Sequence, residues 1–306
     1  MNRTAAAFAL LSAALAAPHA LAVDVYSTDF NTYITGTLSG QSAWIGGTGT
    51  WAVSGSMNAG QVAFNVMTSD GAVQPVGGTG KMVRITTEKF NAGRSKAWLD
   101  LLNSGKWAAA SAGGNDVLEA SASIYVPSGQ LLTSTFGLMV SKSAIDVAGG
   151  FVVDAQTGAV LTLNNGYAVA NRTPTGVTVP LNQWNTFSYR WNVLTGAAEL
   201  RVNGNLAAQY TTTQSGGLYA VNLLSTTDTT PGSLNAYGYA DNLSITANPA
   251  APPPCAGDFN HDGVRDGTDL GILLGAWGTP DGDLNSDGTT DGTDLGLLLG
   301  GWGDCP

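Results

Sequence analysis

Two short stretches near the end of the sequence carry oxygen-bearing side chains at one fixed spacing. Acidic or amide residues stand at positions 1, 3, 5, 9 and 12 of a loop: Asp258, Asn260, Asp262, Asp266 and Asp269 in the first, and Asp283, Asn285, Asp287, Asp291 and Asp294 in the second. Val264 and Thr289 occupy position 7, where a backbone carbonyl points inward, and a glycine precedes each of them. Calcium takes six to eight such oxygens, whereas magnesium requires a tighter octahedron. The spacing therefore predicts two Ca²⁺ sites, one in each loop.

The two loops belong to an internal duplication. Residues 257–278 and 282–303 align without a gap at a shift of 25, and 16 of the 22 positions are identical. After each loop, apolar residues recur at helical spacing: Leu270, Leu273, Leu274 and Trp277, and then Leu295, Leu298, Leu299 and Trp302. Gly278 and Gly303 are expected to end the two helices. Each copy is thus predicted to be a loop followed by one helix, which must bring in the short Asp at position 12, where EF-hand loops have Glu.

The charge of the chain is concentrated in this duplication. Residues 251–306 hold ten acidic groups and one basic group (−9), whereas residues 1–250 hold 12 acidic and 11 basic groups (−1), which together give the net charge of −10. A segment that is both acidic and rich in Leu and Trp has to neutralise its carboxylates before it can bury apolar side chains. We therefore expect metal binding to be coupled to folding. The absence of a basic stripe argues against nucleic acid as a partner.

The only two cysteines, Cys255 and Cys305, bracket the duplication. In an exported protein such a pair predicts a disulfide that clasps the two ends of the duplicated segment. The alternative is a bridge between two chains.

The duplicated loop–helix unit with Asp at position 12 resembles the dockerin module of bacterial cellulosome-type systems, over residues 255–306. The resemblance implies one Ca²⁺ for each loop and a near-symmetric helical face for a cohesin-like partner or an envelope protein. It also implies that partner choice depends on the residues just before position 12, which are Gly267, Thr268, Gly292 and Thr293. The short stretch between the copies leaves no room for the usual intervening helix, which indicates a compact variant. The alternative is a structural calcium repeat that binds no partner.

Residues 23–247 are predicted to form a second domain that is mainly β, separated from the first by a Pro-rich linker at residues 248–254. Many segments alternate apolar and polar residues, as half-buried antiparallel strands do: Val117–Val126, Thr133–Val140, Gly150–Asp154, Ala159–Leu163, Thr186–Trp191 and Ala198–Val202. Dipeptides such as Asn165-Gly166 and Asn203-Gly204 mark the turns between them. This many short strands predict a two-sheet jelly-roll sandwich.

The sandwich segment also resembles laminin-G-like and concanavalin-like domains. The resemblance is carried by the late strand pair within residues 184–204, by Tyr239–Ile245 as a closing strand, and by Tyr26–Phe30 and Gly40–Trp44 as opening strands. It implies a fold and no particular chemistry.

No catalytic residues are predicted in the sandwich. Retaining glycoside hydrolysis needs two carboxylates about 5 Å apart, and the nearest approach to such a pair is Asp116 and Glu119, which face opposite ways on a strand. The only histidines are His19 and His261, which lie outside the sandwich, so Ser–His chemistry is excluded there. Exposed tryptophans can stack on sugar rings, and Trp98 and Trp107 are the strongest candidates for a carbohydrate platform.

The first 22 residues resemble an export signal. Arg3 is followed by an uncharged apolar run and by Ala20-Leu21-Ala22, the small-x-small pattern of a cleavage site. A retained lipid anchor or a buried helix is the alternative, and no segment is long enough for a membrane span. We expect a secreted, calcium-binding protein that presents a non-catalytic sandwich, with carbohydrate as its candidate ligand, for extracellular or cell-surface attachment. Two alternatives stay open: a divergent polysaccharide-degrading enzyme and a structural or adhesive surface protein.

Overall fold

The computed structural model describes residues 21–41, 51–54, 62–87, 93–130, 133–143, 146–213, 216–227, 236–249, 255–285 and 287–305. Contacts divide the chain into two compact units, one spanning Ala20–Ala250 and the other containing Ala251–Pro306. Most of the expected signal segment (residues 1–22) and of the expected linker (residues 248–254) lies outside the described residues. Each unit is described by itself.

The larger unit is built almost entirely of antiparallel strands. In chain order they are β1 (Val23–Thr28), β2 (Gly36–Thr37), β3 (Ala52–Ser54), β4 (Phe64–Met67), β5 (Met82–Thr86), β6 (Gly93–Asp100), β7 (Val117–Tyr125), β8 (Ser134–Ser141), β9 (Val147–Asp154), β10 (Ala159–Asn164), β11 (Arg172–Thr178), β12 (Trp184–Asn192), β13 (Ala197–Val202), β14 (Asn205–Thr211), β15 (Ala220–Thr227) and β16 (Tyr237–Asn248). The six strands predicted from alternation all appear, with ends shifted by a few residues at most.

The strands form two sheets. The nine-stranded sheet has the order β14-β13-β12-β7-β16-β5-β4-β2, with β1 paired to β16 beside this path. The seven-stranded sheet has the order β11-β10-β9-β8-β15-β6-β3. The predicted turn at Asn203 and Gly204 joins β13 to β14, with both residues at positive φ (50° and 83°) as a tight hairpin requires. The predicted fold class, a mainly β two-sheet sandwich, is confirmed.

The core lies between the inner faces of the two sheets. Alternate residues of β12 point inward, so that Phe187, Tyr189 and Trp191 are buried whereas Ser188 and Arg190 are not. The ring of Phe187 stacks on that of Phe151 from β9 of the other sheet, with centroids 4.5 Å apart. These contacts join the sheets by burial of large apolar side chains.

Two short helices interrupt the sandwich, where the sequence predicted almost only strands. They are α1 (Leu101–Ser104) and α2 (Lys106–Ala112). Asp100 caps α1 by accepting a hydrogen bond from the Asn103 N–H (2.9 Å), and Gly105 at φ 70° separates the helices. Trp107 lies in α2 with 5% exposure, packed in the main core. The interpretation of Trp107 as a carbohydrate platform is therefore wrong, because its ring has no open face.

The smaller unit contains two helices of equal length. They are α3 (Gly267–Gly275) and α4 (Gly292–Gly300), and a single 3₁₀ turn at Pro280–Gly282 lies between them. Two-residue strands β17 (Val264–Arg265) and β18 (Gly303–Asp304) pair antiparallel. Both helices end three residues before the glycines expected to stop them, so Trp277 and Trp302 follow the helices instead of closing their last turns.

Candidate functional site

The first oxygen-rich loop is closed by its own side chains. The carboxylate of Asp258 accepts hydrogen bonds from the backbone N–H groups of Asp262 (3.2 Å) and Gly263 (2.9 Å). Asn260 Oδ1 accepts from the Asp262 N–H (3.1 Å), and Asp262 Oδ1 accepts from the Val264 N–H (2.9 Å). Gly263 has φ 90°, a backbone conformation that is energetically costly for any residue with a side chain. The predicted ligand residues at positions 1, 3 and 5 thus lie on one tight turn.

The carboxylate at position 12 is the most enclosed group of the loop. Asp269 is fully buried, and its Oδ1 accepts from the Phe259 N–H (2.7 Å) and its Oδ2 from the Asp266 N–H (2.9 Å). Burial alone would raise the pKa of Asp269, but the backbone N–H groups of Asp266, Asn260 and Phe259 outweigh it and hold that pKa below its usual value. The group is therefore kept as an anion inside the unit.

The second loop repeats this arrangement bond for bond. Asp283 accepts from the Asp287 and Gly288 N–H groups (3.2 and 2.6 Å), and Asp294 accepts from the Leu284 and Asp291 N–H groups (both 2.8 Å). The Asp291 N–H is the largest influence that lowers the pKa of Asp294. The duplication in sequence is thus a duplication in geometry.

The residues at position 9 serve the helices. The side chain of Asp266 accepts from the Thr268 N–H and that of Asp291 from the Thr293 N–H, each at 2.7 Å. Each forms a capping box with the aspartate three residues later, which contributes about 0.5–2 kcal/mol to a helix. Loop closure and helix initiation therefore depend on the same carboxylates.

The donor set of each loop has the chemistry that calcium takes. Carboxylate and amide oxygens stand at positions 1, 3, 5, 9 and 12, and the backbone carbonyl of Val264 or Thr289 stands at position 7. Among the described residues, Cys255, Asp258 and Cys305 form the one group of three His, Cys, Asp or Glu side chains whose ligand atoms lie within 4.8 Å of one another. Among the described residues, no three carboxylates of either loop lie this close together, and each loop's carboxylates accept hydrogen bonds from backbone N–H groups. The sulfurs of that group are joined to each other, so it offers no metal the thiolates that it would need.

Each copy pairs through the tail after its helix with the loop of the other copy. The tail after α4 pairs with the first loop, as Gly303 with Arg265. The tail after α3 pairs with the second loop in the equivalent place, where the Gly278 N–H donates to the Thr290 carbonyl (2.9 Å). The unit therefore has an approximate two-fold symmetry in which each tail completes the loop of the other copy.

The symmetry is broken where Arg265 replaces the equivalent Thr290. A Cβ placed on Gly301 would lie 1.5 Å from the guanidinium of Arg265, whereas the equivalent position in the other copy is occupied by Ala276. Gly301 thus leaves the room that the longer side chain fills.

A disulfide joins Cys255 to Cys305, with Cα atoms 5.8 Å apart. The Cys305 N–H also donates to the Gly263 carbonyl (2.8 Å). The bond therefore lies directly against the first loop and connects the two ends of the unit.

Half of the apolar stripe predicted on the two helices is exposed, namely Leu274, Trp277, Leu299 and Trp302. Only Leu273 and Leu298 of this stripe are buried. A unit with two short helices has too little interior to cover more. Six large side chains of the small unit are between 41% and 51% exposed, and we call them the exposed apolar residues: Ile272, Leu274, Trp277, Leu297, Leu299 and Trp302. The predicted partner-binding residues Gly267, Thr268, Gly292 and Thr293 are exposed at the starts of the same helices.

On the larger unit, one tryptophan points away from the core at the outer face of the seven-stranded sheet. Trp98 lies on β6 between the inward residues Ala97 and Leu99, and it is partly exposed. The ammonium of Lys96 lies 4.6 Å from its ring centroid. Trp51 and Trp191 are buried in the core, while the indole N–H of Trp184 donates to the Gln74 carbonyl (2.8 Å).

Asp116 and Glu119 make contacts with different neighbours. Asp116 accepts a hydrogen bond from Ser111, whereas Glu119 accepts one from Ser188 on β12 (2.6 Å) and lies 3.7 Å from Arg190. His261 is exposed in the first loop, with φ 59°. Among the described residues, no helix is long and apolar enough to cross a membrane.

Comparison with known proteins gives likenesses of fold only. No family model matches the chain, and no curated protein matches it. Solved structures with a similar architecture include a carbohydrate esterase from the Shiga toxin-encoding bacteriophage phi24B (16% identity, 74% of this chain and 99% of that one, TM-score 0.45). Domain 4 of AbnA, an extracellular arabinanase from Geobacillus stearothermophilus solved with arabinotriose, is 15% identical over 74% of this chain and 94% of that one (TM-score 0.41). The cellulose induced protein Cip1 is 13% identical over 73% and 98% (TM-score 0.44). At this level of identity and overlap, the likeness says nothing about what the chain binds.

Proposed function

We propose that the protein is a secreted attachment protein, in which residues 255–306 form a dockerin-like unit with two Ca²⁺ ions and the sandwich is a non-catalytic binding domain. The observation that carries the proposal is the set of exposed apolar residues that follow two equivalent oxygen-rich loops. Residues 258–269 and 283–294 would hold the ions through the side chains and carbonyls named above. When bound, the ions would neutralise eight loop carboxylates and so allow the two helices to dock on each other.

The exposed apolar residues support a protein partner. Six half-exposed side chains, including two tryptophans, are repeated by approximate symmetry on a unit of about fifty residues. Aromatic residues dominate the energetics of protein interfaces, and a large apolar surface on a small unit marks an interaction site. The partner we propose is a cohesin-like or other envelope protein.

Calcium titration tests the first half of the proposal. Isothermal titration of the purified chain should give two Ca²⁺ per chain, and Asp269→Asn or Asp294→Asn should each remove one. Asp281→Asn, an acidic residue in the 3₁₀ turn between the copies, is the matched control and should keep both. A chain that binds no Ca²⁺ would overturn this half.

A pull-down tests the second half. Immobilised chain should retain a protein from an envelope fraction of the source cells in Ca²⁺ but not in chelator. Trp277→Ser combined with Trp302→Ser should abolish retention while leaving calcium stoichiometry unchanged. Retention of nothing, with two ions bound, would favour a structural repeat.

For the sandwich, Trp98 supports carbohydrate binding at the outer face of the seven-stranded sheet. The indole is partly exposed with the Lys96 ammonium over one of its faces, and a sugar ring would stack on the other. A glycan array with the chain and with Trp98→Ala tests this, and signal unaffected by the substitution would contradict it. Release of reducing ends or of unsaturated products from a polysaccharide panel would instead support an enzyme.

A further inference from the structure

We propose that the open side of the sandwich between β11 and β14 holds a second ligand site, which takes one neutral sugar ring at the end of a glycan chain. This site goes beyond the one proposed at Trp98 and does not depend on it, because β6 lies five positions from β11 in the seven-stranded sheet.

Two sheet edges border a cleft on this side of the sandwich. β11 is the outermost strand of the seven-stranded sheet, and β14 is the outermost strand of the nine-stranded sheet. The cleft has a volume of about 280 Å³, and the lining residues that matter most are Thr162, Asn164, Thr173, Thr175, Ala208 and Tyr210. Ligand sites usually have volumes of about 300–1,000 Å³. The cleft can therefore take a single ring, while the rest of a glycan chain has to stay outside it.

The inner face of β10 changes from apolar to polar where it enters the cleft. Val160 belongs to the main core, and strand alternation places Thr162 and Asn164 on the same face. Asn164 pairs in register with Gly149, where a Cβ would collide with the Tyr189 hydroxyl of the other sheet. Both polar side chains therefore face the space between the two sheets.

β11 continues this polar lining. Thr173 is the register partner of Thr162, so their side chains share one face of the sheet. Thr175 Oγ1 donates to the Val160 carbonyl (2.9 Å) and accepts from the Val177 N–H (3.1 Å). Hydroxyl groups thus stand here in place of the apolar side chains that fill most of the space between the sheets.

The side chain of Asn164 is the observation that points to a ligand. Its Oδ1 is buried, and in the part of the chain that the structure describes no donor lies within hydrogen-bonding distance of it. A buried acceptor without a donor is destabilising. Because Asn164 lines the cleft, a hydroxyl group of a ligand in the cleft can donate to this oxygen.

Tyr210 faces the cleft from β14. It is the register partner of the buried Ala198, and its hydroxyl donates to the Leu163 carbonyl (3.0 Å). Burial raises the pKa of Tyr210 to about 12, so the phenol stays neutral. Ala208, two residues earlier on the same strand, adds only a methyl group and leaves the cleft open.

The lining favours a neutral ligand over an acidic one. The described residues that line the cleft include no Asp, Glu, Lys, Arg or His. A charged ligand would lose its hydration there without gaining an opposite charge. The hydroxyl and amide groups can instead bind the hydroxyls of a neutral sugar, while Tyr210, Pro174 and Ala208 provide apolar contact.

The test is saturation-transfer difference NMR and isothermal titration of the full chain with cellotetraose, xylotetraose and mannotetraose, and with tetragalacturonate as the acidic probe. At least one neutral probe should bind, with the transfer concentrated on one terminal sugar. Asn164→Leu should weaken this binding about fivefold or more. It should not lower the melting temperature, because the oxygen that it removes has no partner.

A second substitution acts at an exposed position, where it leaves folding intact. Thr173→Val removes one hydroxyl from the cleft at constant size and should weaken the same binding. Thr178→Val is the matched control, since it makes the same change at another exposed position of β11 outside the cleft, and it should have no effect.

The outcomes separate this site from the one at Trp98. Neutral binding that Trp98→Ala abolishes and Asn164→Leu leaves unchanged would overturn the cleft and keep the proposed function. Tetragalacturonate bound as tightly as the neutral probes, with the same loss in Asn164→Leu, would overturn the neutral class. Binding of none of the neutral probes would overturn the inference, and the glycan array would then decide the carbohydrate binding proposed at Trp98. If Asn164→Leu does not fold, Thr173→Val provides the test.

Discussion

The two units of this protein are stabilised in different ways. The sandwich buries large side chains such as Phe151, Phe187 and Trp191 between two sheets, whereas the described part of residues 255–305 fully buries only two large apolar side chains, Leu273 and Leu298. What the small unit has instead is carboxylates bound to backbone N–H groups and one disulfide. The stability of the acidic unit should therefore depend on cations and reductants, and that of the sandwich on changes in its core.

Chelation should produce the largest difference between the units. We expect the chain in EDTA to lose amide-exchange protection throughout residues 255–305, because unneutralised loop carboxylates repel one another. Strands β7, β12 and β16 should keep their protection. The measurement is hydrogen exchange by mass spectrometry, with and without Ca²⁺. Unchanged protection of α3 and α4 in EDTA would remove the distinction drawn between the units.

Loss of the disulfide should produce the second largest effect, a loss of stability in the small unit. Cys255→Ser with Cys305→Ser opens a crosslink of sequence separation 50, which in the chain-entropy model costs about 4 kcal/mol. The cost should appear as a lower melting temperature of the small unit alone in calcium-loaded protein. A shift in the sandwich transition instead would show that the two units do not unfold independently.

The pH dependence of the stability of the sandwich should be a smaller effect than loss of the disulfide. Burial, with a minor contribution from Asp29, raises the pKa of Asp241 from 3.8 to about 6, against hydrogen bonds from the Val76 and Asn242 N–H groups. The protonated form is thus favoured by folding, so this contribution to stability is present below about pH 4 and is lost as pH rises through 6. In EDTA, Asp241→Asn should reduce the loss of unfolding free energy across this range by at most about 3 kcal/mol. The measurement is a smaller fall in the melting temperature of the sandwich as pH rises. An equal fall in the variant would assign the pH dependence to other groups.

The smallest effect should come from Gly301→Ala. The new methyl group would displace the Arg265 guanidinium, and overpacking of this kind costs about 1 kcal/mol. The double variant Arg265→Thr with Gly301→Ala gives the first loop and the tail that pairs with it the residues found in the second loop and its paired tail, Thr290 and Ala276, and should restore the stability. Thermal melts of the four proteins complete the cycle. Additive costs would mean that the two positions do not interact.

The sequence predicted what depends on local periodicity. Alternation located strands such as Val117–Tyr125, and the Asn203-Gly204 turn followed from residues that accept positive φ. The 25-residue repeat aligned two loops whose hydrogen bonds are equivalent, although their ion content stays a prediction.

Features that depend on tertiary context were beyond the sequence. The helical spacing of Leu274 and Trp277 does not show whether a core exists to bury these side chains. In this protein no such core forms, and both side chains are about half exposed. The exposure of Trp107 was wrongly predicted because a short Ala-rich helix, α2, interrupts the β domain there and buries it. Arg94 and Arg172 both contact Tyr167, although their strands are five positions apart in the sheet. Such a contact depends on the tertiary arrangement of the strands, which the sequence pattern does not contain.

The exchange of tails between the copies has a consequence for the order of events during synthesis. The second loop pairs through Thr290 with Gly278 and Thr279, which have left the ribosome before it. The first loop pairs through Arg265 with Gly303 and contacts Cys305, which are made some forty residues later. At typical elongation rates of about 5–20 residues per second, the earlier loop waits for seconds as an open acidic segment. The copy that is translated first is therefore the copy that is completed last.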